Sequence, residues 1–96
     1  MPFEWDETKN RLNIAKHGVG FGTACRIFEG VVLTAEDRRF DYGERRFISI
    51  GIIDGIAILT VAHTDRADRI RLISARPASR KERKHYEEAL QRRTEP

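Results

Sequence analysis

A single cysteine in 96 residues leaves no partner for an intramolecular disulfide and no thiolate set for a metal cage. Cys25 stands among apolar neighbours, where a buried thiol in a reducing cytoplasm is the ordinary expectation. No apolar run approaches the roughly 20 residues that a membrane-spanning helix requires. The N-terminus, Met-Pro-Phe-Glu-Trp-Asp-Glu, carries acids where a secretory leader needs a basic and then an apolar stretch. Export and insertion into a membrane are therefore not expected. Gly-x-Gly-x-x-Gly, a Walker lysine and Gly-x-Ser-x-Gly are all missing, so nucleotide binding and serine hydrolysis lack support. None of the three histidines has the spacing of a metal-ligand pair, and Asp37, Asp41 and Glu44 lack the spacing of a calcium loop. No metal and no cofactor are expected.

What the chain has in quantity is charge. Charged residues make up 34% against 40% hydrophobic ones, enough apolar surface for one small core and not for two, so residues 1–96 read as a single domain. The net charge of +3 is too mild by itself to indicate a nucleic-acid partner, but its distribution is uneven. Residues 1–63 hold 8 basic and 9 acidic side chains, whereas residues 64–96 hold 10 basic and 6 acidic ones.

Periodicity and capping signals give the element order β-α-α-β-β-β-β-α, an α+β domain with a short antiparallel sheet and helices mainly on one face. Phe3-Glu4-Trp5 reads as a strand running into a helix over 7–16, capped by Asp6 and ended by Lys16-His17-Gly18. Phe21, Ala24, Cys25 and Phe28 form an apolar stripe at i, i+3, i+4 and i+7, which predicts a second short helix. Val31–Thr34 reads as a strand and 35–43 as a loop or a frayed hairpin end. Arg46–Ile53 and Ile56–His63 flank Asp54-Gly55, the signature of a two-residue type I′ hairpin. That register sets Ile48 against Val61, Ile50 against Leu59, Ile52 against Ala57, and Arg46 against His63. After a polar turn at 64–68, Arg69–Ala75 reads as a strand stopped by Pro77. Ser79 and Glu82 form a capping box opening a final helix over about 79–93 whose apolar residues are only Tyr86, Ala89 and Leu90.

Arg69, Arg71, Arg76, Arg80, Lys81, Arg83 and Lys84 fall within sixteen residues that contain one acid, Glu82. Such a strand and helix can grip a phosphate backbone, and can equally be a solvated face. Histidine is suited to proton transfer near neutral pH. His17 reads either as a proton-transfer group or as a cation at a helix C-terminus, His63 as a partner of Arg46 or as a polar strand end, and His85 as an exposed helix residue.

The motifs together resemble those of the BrnT family. They are Phe3-Glu4-Trp5-Asp6, Asn10 with Asn13, Lys16-His17-Gly18-Val19, Phe21, Gly43-Glu44 leading to Arg46-Phe47, and Arg71-Leu72-Ile73-Ser74-Ala75-Arg76 with Glu82-Arg83 and Tyr86. The resemblance runs from residue 3 to about residue 88. It implies a RelE-like fold and an RNA-cleaving toxin of a type II toxin–antitoxin module that inhibits translation. It also implies a BrnA-type antitoxin, an assembly with two copies of each protein, and repression of the module's own promoter through the antitoxin's DNA contacts.

Carried onto this chain, the resemblance implies Lys16, His17, Arg46 and Arg76 as catalytic candidates, with His63 added on the hairpin register alone. Arg71, Arg80, Lys81, Arg83 and Tyr86 are the candidates for RNA binding, Tyr86 by stacking on a base or donating a hydrogen bond. The expected reaction needs no metal: the ribose 2′-OH attacks the adjacent phosphate while the protein moves protons and stabilises charge. The competing class is a subunit that binds RNA, or acts as a co-repressor, without cutting.

Overall fold

Asp6 accepts a hydrogen bond from the Lys9 amide at 3.0 Å, and Gly18 closes the same helix in the left-handed region at φ 72°, as its capping residues require. In the computed structural model, which describes residues 2–94, this helix α1 spans Glu7–His17 and follows a two-residue strand β1, Phe3–Glu4. Met1, Glu95 and Pro96, which the single-domain reading includes, lie outside the described residues. Helix α2, Phe21–Ala24, runs directly into a 3-10 turn, Cys25–Glu29. The tighter winding changes the repeat to three, so Phe21, Ala24 and Ile27 are fully buried while Cys25 and Phe28 are half-buried. Ile27, not Cys25, completes the apolar stripe.

Four longer strands follow: β2 (Val32–Asp37), β3 (Arg46–Ile53), β4 (Ala57–Arg66) and β5 (Arg69–Pro77), and then helix α3 (Arg80–Thr94). They form one sheet in the order β1-β5-β4-β3-β2. All neighbours are antiparallel except β1 and β5, which pair in parallel, so the sheet is mixed and not purely antiparallel. Among the described residues, no helix is long and apolar enough to cross a membrane.

The hairpin differs from expectation by one residue. Asp54 and Gly55 do take positive φ, 54° and 67°, and the Ile56 amide bonds the Ile53 carbonyl at 3.0 Å, as in a type I′ turn. Pairing resumes only at Ile53 with Ala57, leaving Ile56 as an extra, 85% exposed residue. The expected partners Ile48–Val61 and Ile50–Leu59 are thereby replaced by Ile48–Ala62 and Ile50–Thr60. A shift of one residue exchanges the faces of a whole strand. Ser49, Gly51 and Ile53 now share a face with Val61, Leu59 and Ala57.

That inner face packs on α1, α2 and the 3-10 turn, and its core comprises Phe21, Ala24, Ile27, Ile53, Leu59, Val61, Ile70, Leu72 and Ala75. Gly51 lets the turn approach closely, because a Cβ there would lie 2.7 Å from Cβ of Ile27. Helix α3 lies on the other, outer face, where Tyr86 is buried and its hydroxyl donates to the Val31 carbonyl at 2.7 Å. The expectation of helices mainly on one face therefore holds for α1 and α2 but not for α3. On β5 the register shifts between the Ala62–Ser74 and His63–Leu72 pairs, so that Ile73 is bulged out.

Candidate nucleic-acid interface

The outer face carries Arg46, Ile48 and Ile50 from β3, Thr60 and Ala62 from β4, and Arg71, Ser74 and Arg76 from β5. Most of its arginines are held by a carboxylate. Arg76 forms a two-pronged pair with Glu82, Nη1 to Oε1 at 2.7 Å and Nη2 to Oε2 at 2.9 Å. Glu82 completes the expected capping box, accepting from the Ser79 amide at 2.8 Å while its own amide bonds Ser79 Oγ at 3.1 Å. It also accepts from Thr60 Oγ1 at 3.1 Å. The Arg76 guanidinium, with the Ser79 amide and Thr60 hydroxyl, holds its carboxyl down at about 2.

Arg46 lies at the start of β3, with its guanidinium 4.2 Å from the centre of the Tyr42 ring and Nε 3.7 Å from Glu44. This Nε is buried and makes no hydrogen bond. Arg71 bonds Glu4 at 2.9 Å across the β1–β5 pair. Lys16, exposed, and His17, half-buried, stand in the last turn of α1 and line a shallow hollow with Ile73 and Ser74. Ser74 also lines the neighbouring cleft of Arg76, so the α1 terminus and the Arg76 site adjoin. Arg80, Lys81 and Arg83 are exposed on the first turns of α3 and, among the described residues, make no ion pair.

Two candidates are not on this surface. His63 faces inward opposite Phe47, not Arg46, because of the one-residue slip in the hairpin. It is 4% exposed, packed between the rings of Phe28 and Phe47, with Nε2 at 2.8 Å from Ser49 Oγ and Nδ1 at 3.6 Å from Asp65. Burial lowers its pKa, and the nearby Asp65 carboxylate only partly opposes that. Tyr86 is 1% exposed; its hydrogen bond goes to Val31, and its ring pins α3 to the sheet. A base cannot stack there.

The residues that sequence reasoning missed lie in the β2–β3 loop. Asp37 accepts from Nε and Nη2 of Arg39, each at 2.9 Å, and from the Tyr42 hydroxyl at 2.9 Å. These bonds, Arg39 foremost, hold the Asp37 carboxyl far below the usual carboxylate range. The folded loop sets Arg39 over the outer face and leaves Phe40, edge-on to Tyr42, 68% exposed. Asp-Arg-Arg-Phe-Asp-Tyr, an alternation of charge and aromatics in a predicted loop, was the available signal. Among the described residues, no three His, Cys, Asp or Glu side chains gather as a metal ion would need.

A family model described as the ribonuclease toxin BrnT of type II toxin–antitoxin systems matches residues 5–82. Among curated proteins no match is found. The crystal structure of the Brucella abortus ribonuclease toxin BrnT is similar, with 29% identity and a TM-score of 0.64, covering 83% of this chain and 99% of that one. With its motifs distributed from β1 to α3 and its fold shared with that toxin, the chain belongs to the BrnT family of ribonuclease toxins of type II toxin–antitoxin systems.

Proposed function

We propose that this protein cuts single-stranded RNA on the outer face of the sheet, without a metal, by attack of a ribose 2′-OH on its own 3′-phosphate. The oxygen–phosphorus bond that forms closes a 2′,3′-cyclic phosphate, and the bond to the 5′-oxygen of the next nucleotide breaks. One proton leaves the 2′-OH and one reaches the departing oxygen. Arg46 and Arg76 hold the phosphate and the charge that grows on it, with Lys16 or Arg83 assisting. His17 moves protons, and Arg71, Arg80, Lys81 and Arg83 follow the backbone. With Tyr86 and His63 buried, base stacking falls to Phe40, and His63 is left out of the site.

The observation that carries this reading is the gathering of Arg46, Arg76 and Ser74 on one open face that adjoins Lys16 and His17. Membership of the family supports, and we infer, the following setting for the toxin. In the cytoplasm, a BrnA-type antitoxin neutralises the protein in an assembly of two toxins and two antitoxins, and the pair represses its promoter through the antitoxin.

The test is cleavage of RNA by purified protein in EDTA, together with growth arrest on expression of Arg46→Ala and Arg76→Ala. Cleavage in EDTA and loss of toxicity in both variants, with antitoxin binding intact, are the expected results. Full toxicity in both would remove this site. No cleavage, with promoter binding only beside the antitoxin, would favour a co-repressor. Phe40→Ala is expected to weaken binding of single-stranded RNA by about 1–3 kcal/mol in a fluorescence titration, the range of one lost base stack.

A further inference from the structure

Arg39 and Arg76 reach a common cleft, one from the β2–β3 loop and one from β5. The cleft has a volume of about 80 Å³ and is lined by these two arginines with Ile48, Thr60, Ala62 and Ser74. That is room for one small tetrahedral anion or a few waters. Its polar atoms are two hydroxyls and two guanidiniums, and the remaining lining is aliphatic.

Each arginine is braced from behind. Asp37 engages Nε and Nη2 of Arg39, leaving Nη1 unbonded among the described contacts. Glu82 engages Nη1 and Nη2 of Arg76, leaving Nε unbonded in the same sense. Two like charges are thus held at one cleft by two separate carboxylates, each fixed in turn by a hydroxyl, that of Tyr42 on Asp37 and that of Thr60 on Glu82. The Glu82 bonds raise the proton affinity of Arg76 overall, while the nearby Arg39 charge weakly opposes that rise. A phosphate between them finds charged donors whose side-chain entropy has already been lost to Asp37 and Glu82.

We infer that Arg39 is a phosphate-binding residue of the RNA site, forming with Arg76 a two-arginine clamp over Thr60 and Ser74. The clamp rests on the reading of the outer face as the RNA-cleaving surface, and it adds a phosphate contact from the loop that already supplies Phe40.

The test compares Arg39→Ala and Arg39→Lys with Arg38→Ala. Arg38 is the adjacent arginine, 81% exposed and bonded to Glu36, which Arg45 also holds. Arg38→Ala therefore removes the same charge from the same loop without touching the cleft. Arg39→Lys keeps a cation beside Asp37, so the loop retains its ion pair while the planar fork is lost. The first probe is a 2′-O-methyl RNA oligonucleotide, which binds but lacks the attacking hydroxyl. The second is inorganic phosphate, followed by the arginine Nε–Hε resonances.

The expected result is a Kd raised about tenfold in Arg39→Ala, with the salt slope reduced by about 0.7. Arg39→Lys should fall between, and Arg38→Ala should stay within about twofold of the unmodified protein. Phosphate should shift the Arg39 and Arg76 signals together, and Arg39→Ala should abolish the Arg76 shift. If Arg39→Ala behaves as Arg38→Ala with both probes, the clamp is wrong even where the unmodified protein cleaves RNA. If phosphate moves both arginines but RNA is never cut, the clamp stands and the ribonuclease reading fails.

Discussion

Asn13 does for one edge of the sheet what another strand would otherwise do. Strand β1 covers only the start of β5, and beyond it the side-chain amide of Asn13 takes the Ala75 amide at 3.1 Å and the Ala75 carbonyl at 2.7 Å. It also donates to the Val19 carbonyl at 2.8 Å. Asn13→Leu keeps the branching at Cγ, is bulkier and makes none of these bonds, so it strands a buried donor and acceptor and is expected to cost about 2–4 kcal/mol, read as a lower urea midpoint. His63 gives a second prediction. Its folded pKa lies below its ordinary 6.5, so the unfolded chain binds its proton more readily. The stability that follows from keeping it neutral is full above about pH 6.5 and is lost as pH falls through the folded value. Denaturation at pH 7.5 and 5.5 should show a loss on acidification that His63→Gln reduces; an equal loss in both proteins would contradict the assignment.

Elements were more legible in the sequence than their registers. Asp6, Gly18, Ser79 with Glu82 and Asp54-Gly55 act through local chemistry, and each forms the cap or turn that its residue types demand. The face of β3 was not legible, because an extra residue after the turn depends on which side chains fit against Ile27 and Val32, a tertiary condition. From that followed the misplaced pairing of His63 with Arg46. The winding of the 3-10 turn, which brings Ile27 into the core, was hidden for the same reason. Tyr86 was legible as an important residue but not as a buried one, since a helix with so few apolar positions gives no sign of how deeply the best of them goes. Its depth makes α3 testable as an element. Tyr86→Phe removes the bond to Val31 and should cost about 1 kcal/mol. Tyr86→Ala should cost about 3 kcal/mol or more in thermal unfolding. It should also reduce RNA cleavage, because Glu82, which orients Arg76, travels with the helix.

Across the whole molecule the charges fall into two populations. The arginines on and over the outer face of the sheet, Arg39, Arg46, Arg71 and Arg76, each have an acid at hand, in Asp37, Glu44, Glu4 and Glu82. Lys16, Arg80, Lys81, Arg83 and Lys84 make no ion pair among the described residues. Freely hydrated cations attract a polyanion at long range, whereas braced arginines fix its position at short range. The two groups should therefore separate in kinetics. Neutralising Arg80, Lys81 or Lys84 is expected to lower RNA affinity alike for any sequence and to reduce the salt slope by about 0.7 per residue, with the single-turnover cleavage rate at saturation unchanged. Arg46→Ala and Arg76→Ala should lower that saturating rate itself. On the proposed reading, the uneven charge seen along the sequence belongs to the attracting part of the surface more than to the cutting part.

The bulge at Ile73 has a consequence for counting along β5. Arg71 and Arg76 are five positions apart, an odd interval, and on an unbroken strand alternate residues point to opposite sides. One of the two would then project into the core, and Ala75, now buried beside Asn13, would project outward. The single unpaired residue turns the odd interval into an even one. Both arginines and Ser74 face the solvent together, while Ile70, Leu72 and Ala75 remain inside. Deleting Ile73 would leave Leu72 and Ser74 adjacent with both arginines still on one side, whereas drawing Ile73 into the ladder as a paired residue would reverse the orientation of everything after it on the strand. The chain's chemistry thus depends on which residue of β5 the ladder skips as strictly as on its arginines.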